Sequence, residues 1–211
     1  MTDIEYFYAA HSAYAYLGSA RLMAIAAAAG RRIMHRPFDL RRVATAPFGG
    51  RSAAHRDYFF RREILRWAEE RGAPVLGHTP SHHARDIALP NSVLIAAQRA
   101  GRNVDRLAHA MLEAHWRDDA DLADAATLAA LARALGLDAD ELLAAAVSPA
   151  VAAEYAANTE EALRRSVFGS PTYFVDGDMF YGQDRLEMVE RALRRPYRGT
   201  RWLEDRVSGA T

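Results

Sequence analysis

The stretch Gly169–Gly182 constrains this chain most. Thr172 to Val175 suits a short strand, Asp176-Gly177 is a two-residue hairpin turn, and Asp178 to Tyr181 suits the returning strand. Gly182 ends that strand, and Asp184 followed by Glu187 predicts a helix start with a capping-box pairing. The segment therefore reads strand, hairpin, strand, helix, and it is entered through Ser170-Pro171. A proline there cannot donate to a ladder and belongs at an edge or an entry. Its peptide bond is either an ordinary trans bond or a cis bond, which is inexpensive only before proline. A cis bond would turn the Ser170 backbone outward, toward an extended ligand, and that geometry is the expectation.

The other end of the chain supplies a matching half. Ile4–Ala9 is an aromatic and branched run that predicts a strand. From Ala13 to Ala29 the apolar residues recur at helical spacing, with Gly30 as a stop. Arg32–Phe38 predicts a second strand, so the three elements form a βαβ unit with parallel pairing. Between the halves the periodicity is helical. Helices are predicted over 55–71, 91–100, 106–116, 123–135, 140–146 and 150–165, with an irregular loop over 41–52 and another over 73–89. The fold class is thus α/β, a thioredoxin-like βαβ plus ββα with a large all-helical insertion between the halves. Residues 1–40 and 166–197 form the first domain, 41–165 the helical insertion, and 198–211 a polar tail in which Trp202 is the exception.

Composition narrows the chemistry. The chain has 27 basic and 27 acidic residues and zero formal net charge, which gives no electrostatic reason to expect nucleic acid or an anionic membrane as partner. No stretch approaches the length of a membrane span, and the start of the chain does not read as a secretion signal, so a cytoplasmic location is expected. There are no cysteines among the 211 residues. Disulfide exchange, thiolate metal sites and a cysteine nucleophile are excluded.

Ser12 lies where the first strand ends and the first helix begins. Ligands of open α/β sheets bind at such strand ends, and a helix N-terminus carries roughly half a positive charge. That environment suits an anion such as a thiolate, which here must arrive with a ligand. Serine is equally a favoured N-cap, and the residues alone leave both roles open. His11 beside it reads as solvent-facing, with proton donation as the other reading. His78, His82 and His83 share one irregular segment, but without a carboxylate ligand set they do not make a convincing zinc site, and no metal is expected. Asn91 suits a helix N-cap or a ligand contact. The arginine pairs at 61–62, 164–165 and 194–195 suit solvated helix faces, and Trp67 and Trp116 the interior of the helical block.

Phe7–Leu17, Asp39–Val43, Arg66-Trp67-Ala68, Val167–Thr172 and Met179–Leu186 together resemble the 2-hydroxychromene-2-carboxylate isomerase family, a relative of the kappa-class glutathione transferases. The C-terminal segments carry most of the specificity. The resemblance implies a glutathione-dependent isomerase acting on an unsaturated aromatic carbonyl acid, and a homodimer. It implies that the Ser12 hydroxyl faces the glutathione sulfur. The Ser170-Pro171 backbone would pair with the cysteinyl part, and Gln183 and Asp184 would hold the γ-glutamyl end. Arg56, aligned through Glu63, Arg66 and Trp67, would meet a carboxylate where the family has lysine. Two further departures are Ala9 in place of the family's aspartate and Ala13 in place of its proline; the change at Ala13 alters how the helix starts but leaves Ser12 able to cap it, whereas Ala9 and Arg56 are nearer to the chemistry and suggest a different substrate. The rival readings are a kappa-like glutathione transferase and a non-catalytic thioredoxin-fold binding protein.

Overall fold

The computed structural model describes residues 3–43 and 52–198, apart from the side chains of His55, Arg56, Phe59 and Phe60. The glycine-containing loop over 44–51 and the tail beyond 198, Trp202 included, lie outside the described residues.

The βαβ half is β1 (Ile4–Tyr8), α1 (Ala13–Ala29) and β2 (Ile33–Pro37). Gly30 closes α1 in the left-handed conformation, φ 62°, where a side chain would be strained. The second half is β3 (Thr172–Val175), β4 (Asp178–Tyr181) and α10 (Leu186–Arg194). Asp176 and Gly177 both take positive φ, 51° and 88°, as a tight hairpin of this length requires. The strands form one sheet in the order β2-β1-β3-β4. β1 runs parallel to β2 with Tyr6 opposite His35, and antiparallel to β3 with Tyr6 opposite Tyr173. Alternation along β1 sends Tyr6 and Tyr8 to one face and Phe7 to the other. Tyr6 stacks on Tyr8 and on Tyr173, with ring centroids 4.1 and 5.4 Å apart. Phe7 packs with Phe38, Val167 and Phe174 beneath the opposite face.

Between the halves run α2 (Leu40–Val43), α3 (Ala53–Asp57), a π-helical stretch (Tyr58–Glu63), α4 (Ile64–Arg71), α5 (Ala88–Arg99), α6 (Asp105–Asp118), α7 (Ala125–Ala134), α8 (Ala139–Ala146) and α9 (Pro149–Arg164). The sequence predicts the start of this region as loop, yet Leu40–Val43 winds into a short helix, with Asp39 Oδ1 accepting the Arg41 N–H at 3.0 Å. The buried faces of α5, α6, α7 and α8 join those of β1 and α1 in one apolar core. No described helix is long and apolar enough to cross a membrane.

Three local expectations change. No capping box forms ahead of α10: Gln183–Arg185 makes a 3-10 turn, Asp184 pairs with Arg185 at 3.1 Å, and Glu187 turns to Arg71 at 3.0 Å. A nearby guanidinium draws each carboxylate away from the capping geometry. Arg165 is not a solvated helix-face residue. It lies 3.6 Å over the Phe174 ring and donates to both carboxylate oxygens of Glu5 at 2.9 Å, closing the sheet's lower face. Asn91 is no N-cap. Fully buried, it accepts the Ala10 N–H at 3.0 Å and donates to Phe38 O and the Tyr155 hydroxyl at 3.2 Å each.

Candidate active site

The site grows from the turn between β1 and α1. Its backbone is bonded on every side: Ser12 N donates to Ala9 O at 3.0 Å, Ala9 N to Ser170 Oγ at 3.1 Å, and Trp116 Nε1 to His11 O at 2.8 Å. These bonds leave Ser12 in extended conformation at the head of α1. Its Oγ accepts the Ala15 N–H at 3.3 Å, so the N-cap role is real. The same hydroxyl donates to the Ser170 carbonyl at 3.1 Å. Residues 158 positions apart in sequence thus meet through the two groups that the sequence singled out, and both serines are 8% exposed. The first turn of α1 carries no acidic residue to compete with an anion at the helix end.

The Ser170–Pro171 bond is cis, as expected. Pro171 O accepts the Gly182 N–H at 2.9 Å, which ties the loop to the end of β4. An added Cβ at Gly169 would run into the Tyr181 ring, which would have to shift to admit it.

The structure separates the remaining candidates. Gln183 is buried, its amide oxygen accepting Arg71 Nε at 2.9 Å and its carbonyl Arg71 Nη2 at 3.2 Å. It therefore anchors the segment to α4 through an arginine that sequence reasoning did not single out. Asp184 is exposed beside it. Burial raises the Tyr14 hydroxyl pKa, and the negative potential of Glu63, Tyr181 and Asp184 raises it further. Glu63 and Asp184 thus approach α1 from two different elements. Arg56 belongs to α3, and its side chain lies outside the described residues.

His11 is not solvent-facing. Its ring is largely buried against His83, 4.7 Å between centroids, with His115 at 6.4 Å. The histidines of the 78–83 segment do not act together. His78 Nδ1 lies 2.9 Å from Thr79 O, His82 Nδ1 lies 3.7 Å from Asp121, and His83 Nδ1 lies 3.1 Å from His115 Nε2. Among the described residues no group of three or more His, Cys, Asp or Glu is arranged to hold a metal ion. Burial first, then the positive potential of His83, His115 and Arg41, pushes the His11 pKa down to about 3. Burial likewise pushes His83 down to about 4 and lowers His115. These rings lie 72 and 32 positions apart in sequence, on the β1–α1 turn, the loop before α5 and helix α6, and nothing in their spacing signals the cluster.

The DSBA-like thioredoxin domain matches residues 3–194. A 2-hydroxychromene-2-carboxylate isomerase of Pseudomonas sp. (strain C18) is 30% identical over 197 residues, covering 90% of this chain and 89% of the relative. The isomerase of Sphingobium xenophagum is 29% identical over 194 residues, covering 90% and 97%. The chain belongs to the 2-hydroxychromene-2-carboxylate isomerase family, within the DSBA-like thioredoxin domains. A solved 2-hydroxychromene-2-carboxylate isomerase superposes with a TM-score of 0.73 at 25% identity, covering 92% of this chain and 95% of that one. Against this family two departures are now placed. Ala9 and Ala13 are 0% and 5% exposed, walls of the turn and not ligand-facing groups. Ser12 caps α1 without the proline.

Proposed function

We propose that this protein catalyses the glutathione-dependent isomerisation of an unsaturated aromatic carbonyl acid of the 2-hydroxychromene-2-carboxylate kind. Glutathione thiolate adds to an electron-poor double bond, the resulting single bond rotates, and the thiol is eliminated. The observation that carries this reading is the hydrogen bond from Ser12 Oγ to Ser170 O at the head of α1. A cysteinyl residue laid along the 170–171 backbone would exchange with it. Its amide N–H would take the Ser170 carbonyl, and its sulfur would take the released Ser12 hydroxyl. One internal bond opens and two ligand bonds close, one of them charge-assisted. The names of the relatives support the reaction, and the lack of any cysteine in the chain makes an incoming thiol the natural nucleophile.

The remaining groups take complementary parts. Asp184, with Glu63 facing the same side of α1, supplies negative charge for the γ-glutamyl ammonium. Gln183 sets the position of Asp184 through Arg71. Arg56 offers a positive charge for a carboxylate. The protein's share of the work is orientation and stabilisation of the thiolate.

The test is incubation with 2-hydroxychromene-2-carboxylate, with and without glutathione, following substrate absorbance and free thiol together. Isomer formed only with glutathione, at constant thiol, is the expected result. Thiol consumed in step with substrate would make the protein a glutathione transferase. No reaction and no thermal shift with glutathione would make it a binding protein of another kind.

A further inference from the structure

We propose that His11 is a catalytic residue of this site: as a neutral imidazole it donates a hydrogen bond to the substrate carbonyl oxygen on which negative charge collects when the thiolate adds. The inference rests on the isomerase reading above. It begins from a hydrogen-bonding deficit. His11 follows β1 and directly precedes Ser12, and Trp116 fixes its backbone through the 2.8 Å bond to His11 O. Its ring is pressed on His83 at a 34° tilt, which stacks the two rings without a hydrogen bond between them. Nδ1 is buried and has no partner. Buried polar atoms in folded proteins are almost always satisfied, so an orphan next to the candidate nucleophile site calls for a ligand.

The surroundings decide which form of the ring is present. The Ala120 carbonyl can only accept, so His115 Nδ1, 3.0 Å away, carries the hydrogen. His115 Nε2 is then the acceptor, and His83 Nδ1 donates to it across 3.1 Å. The pair behind His11 is thus locked as two neutral rings with a fixed direction. Arg41 adds a positive charge, its Nη2 held by Ala84 O at 2.9 Å and Arg85 O at 2.6 Å in the loop that carries His83. The groups acting on His11 are His83, His115 and Arg41, each of which opposes a second proton on it. The carboxylates nearby, Asp119 and Asp121, act on His115 behind it, together with His82. A ring in this position keeps one N–H and one lone pair across the physiological range. It cannot serve as an imidazolium acid, but it can stabilise an oxyanion without giving up its proton.

The step balances without any co-reactant. Sulfur forms a bond to the alkene carbon, the alkene pair shifts toward the carbonyl carbon, and the carbonyl pair moves onto oxygen. The His11 N–H bonds to that oxygen and stays on its nitrogen. After rotation the same electrons return, the carbon–sulfur bond breaks, and the carbonyl re-forms.

The experiment compares His11→Phe, which keeps a flat ring without an N–H, with His11→Gln, which keeps a neutral N–H. Wild-type turnover with glutathione is measured first, since its absence overturns the isomerase reading and this proposal with it. Given turnover, His11→Phe is expected to lower kcat by about 10²–10³ with glutathione binding unchanged, the loss typical of removing one oxyanion donor. His11→Gln is expected to recover most of that loss. Turnover of His11→Phe equal to wild type overturns the proposal and leaves the isomerase reading standing. Nitrogen NMR of His11 in the wild-type protein reads the same point even if neither variant folds. The ring should stay neutral from pH 8 to 5 with product bound, and protonation within that range overturns the assignment.

Discussion

Replacing Ser12 with alanine separates its two roles. In the free protein the hydroxyl makes two bonds, one accepted from Ala15 N and one donated to Ser170 O. Losing both leaves an uncapped helix and an under-bonded carbonyl at a site where both serines are 8% exposed. Together these cost about 1–3 kcal/mol of stability. The effect on bound glutathione is a difference between two bonds. With the ligand's thiol protonated, the hydroxyl keeps a neutral bond worth about 0.5–1.5 kcal/mol; with the thiolate it makes a charge-assisted one worth about 1.5–3 kcal/mol. The net preference for the thiolate is about 1–1.5 kcal/mol, or roughly one pKa unit. Ser12→Ala should therefore raise the pKa of bound glutathione by about one unit and lower turnover of the folded fraction near neutral pH about tenfold. The assay is the ultraviolet absorbance of bound thiolate against pH, in both proteins, beside thermal melting. If the mutant melts earlier while both thiols titrate alike, Ser12 is a cap alone and the thiolate argument is refuted.

Stability should be level above the ordinary histidine pKa of 6.5 and fall below it, because His11 and His83 are held at about 3 and 4 in the folded protein while the unfolded chain takes up their protons. His109 and His115 are lowered too and add to the same fall. The slope is up to about 1.4 kcal/mol per pH unit for each such ring, and urea unfolding at stepped pH down to about 5 would expose a flat response as disproof. Asn91→Ala should cost about 2–4 kcal/mol, since it strips the Ala10 N–H and the Phe38 carbonyl of their partner in a fully buried position. A loss below about 1 kcal/mol in urea would mean that these groups find other partners. Gly18→Ala places a Cβ 2.7 Å from Gln183 Cβ and 3.1 Å from the Tyr173 hydroxyl oxygen. Overpacking of about 1–3 kcal/mol should lower the melting temperature, and a rise would show that α1 and the Gln183 turn are less closely packed than described.

The elements of the two thioredoxin halves were legible in sequence because their signals are local. Asp176-Gly177 needs positive φ at consecutive positions, Gly30 needs it at a helix end, and the aromatic run from Tyr6 to Tyr8 suits a strand buried on both faces. Ser12 as a cap and the cis bond before Pro171 were legible for the same reason. Failures occurred where a distant partner outcompetes a local one. Asp184 and Glu187 have capping-box spacing, but Arg185 and Arg71 draw their carboxylates away. Arg165 sits in an arginine pair typical of a solvated face, but Glu5 and the Phe174 ring hold it against the sheet. His11 reads as solvent-facing because nothing near it in sequence predicts that His83 and His115 cover it.

Those distant partners also explain how a site with so little local structure keeps its shape. The turn at 9–12 is too short to hold itself, and most of its bonds come from elsewhere in the chain. Ser170 holds Ala9, Asn91 holds Ala10, and Trp116 holds His11. Two of the three donors and acceptors stand on insertion helices α5 and α6, and the third precedes β3. Side chains of the insertion also reach β2 and the turn after β4: Gln98 bonds both N–H and C=O of His35 at 3.0 Å, and Arg71 grips Gln183. The Gln98 amide thereby occupies the open edge of β2 as a neighbouring strand would. The helical insertion is thus part of the frame that sets where Ser12 and His11 stand. A substitution at Asn91 or Trp116 should displace the β1–α1 turn itself, and with it the distance between the Ser12 hydroxyl and the Ser170 carbonyl on which the chemistry depends.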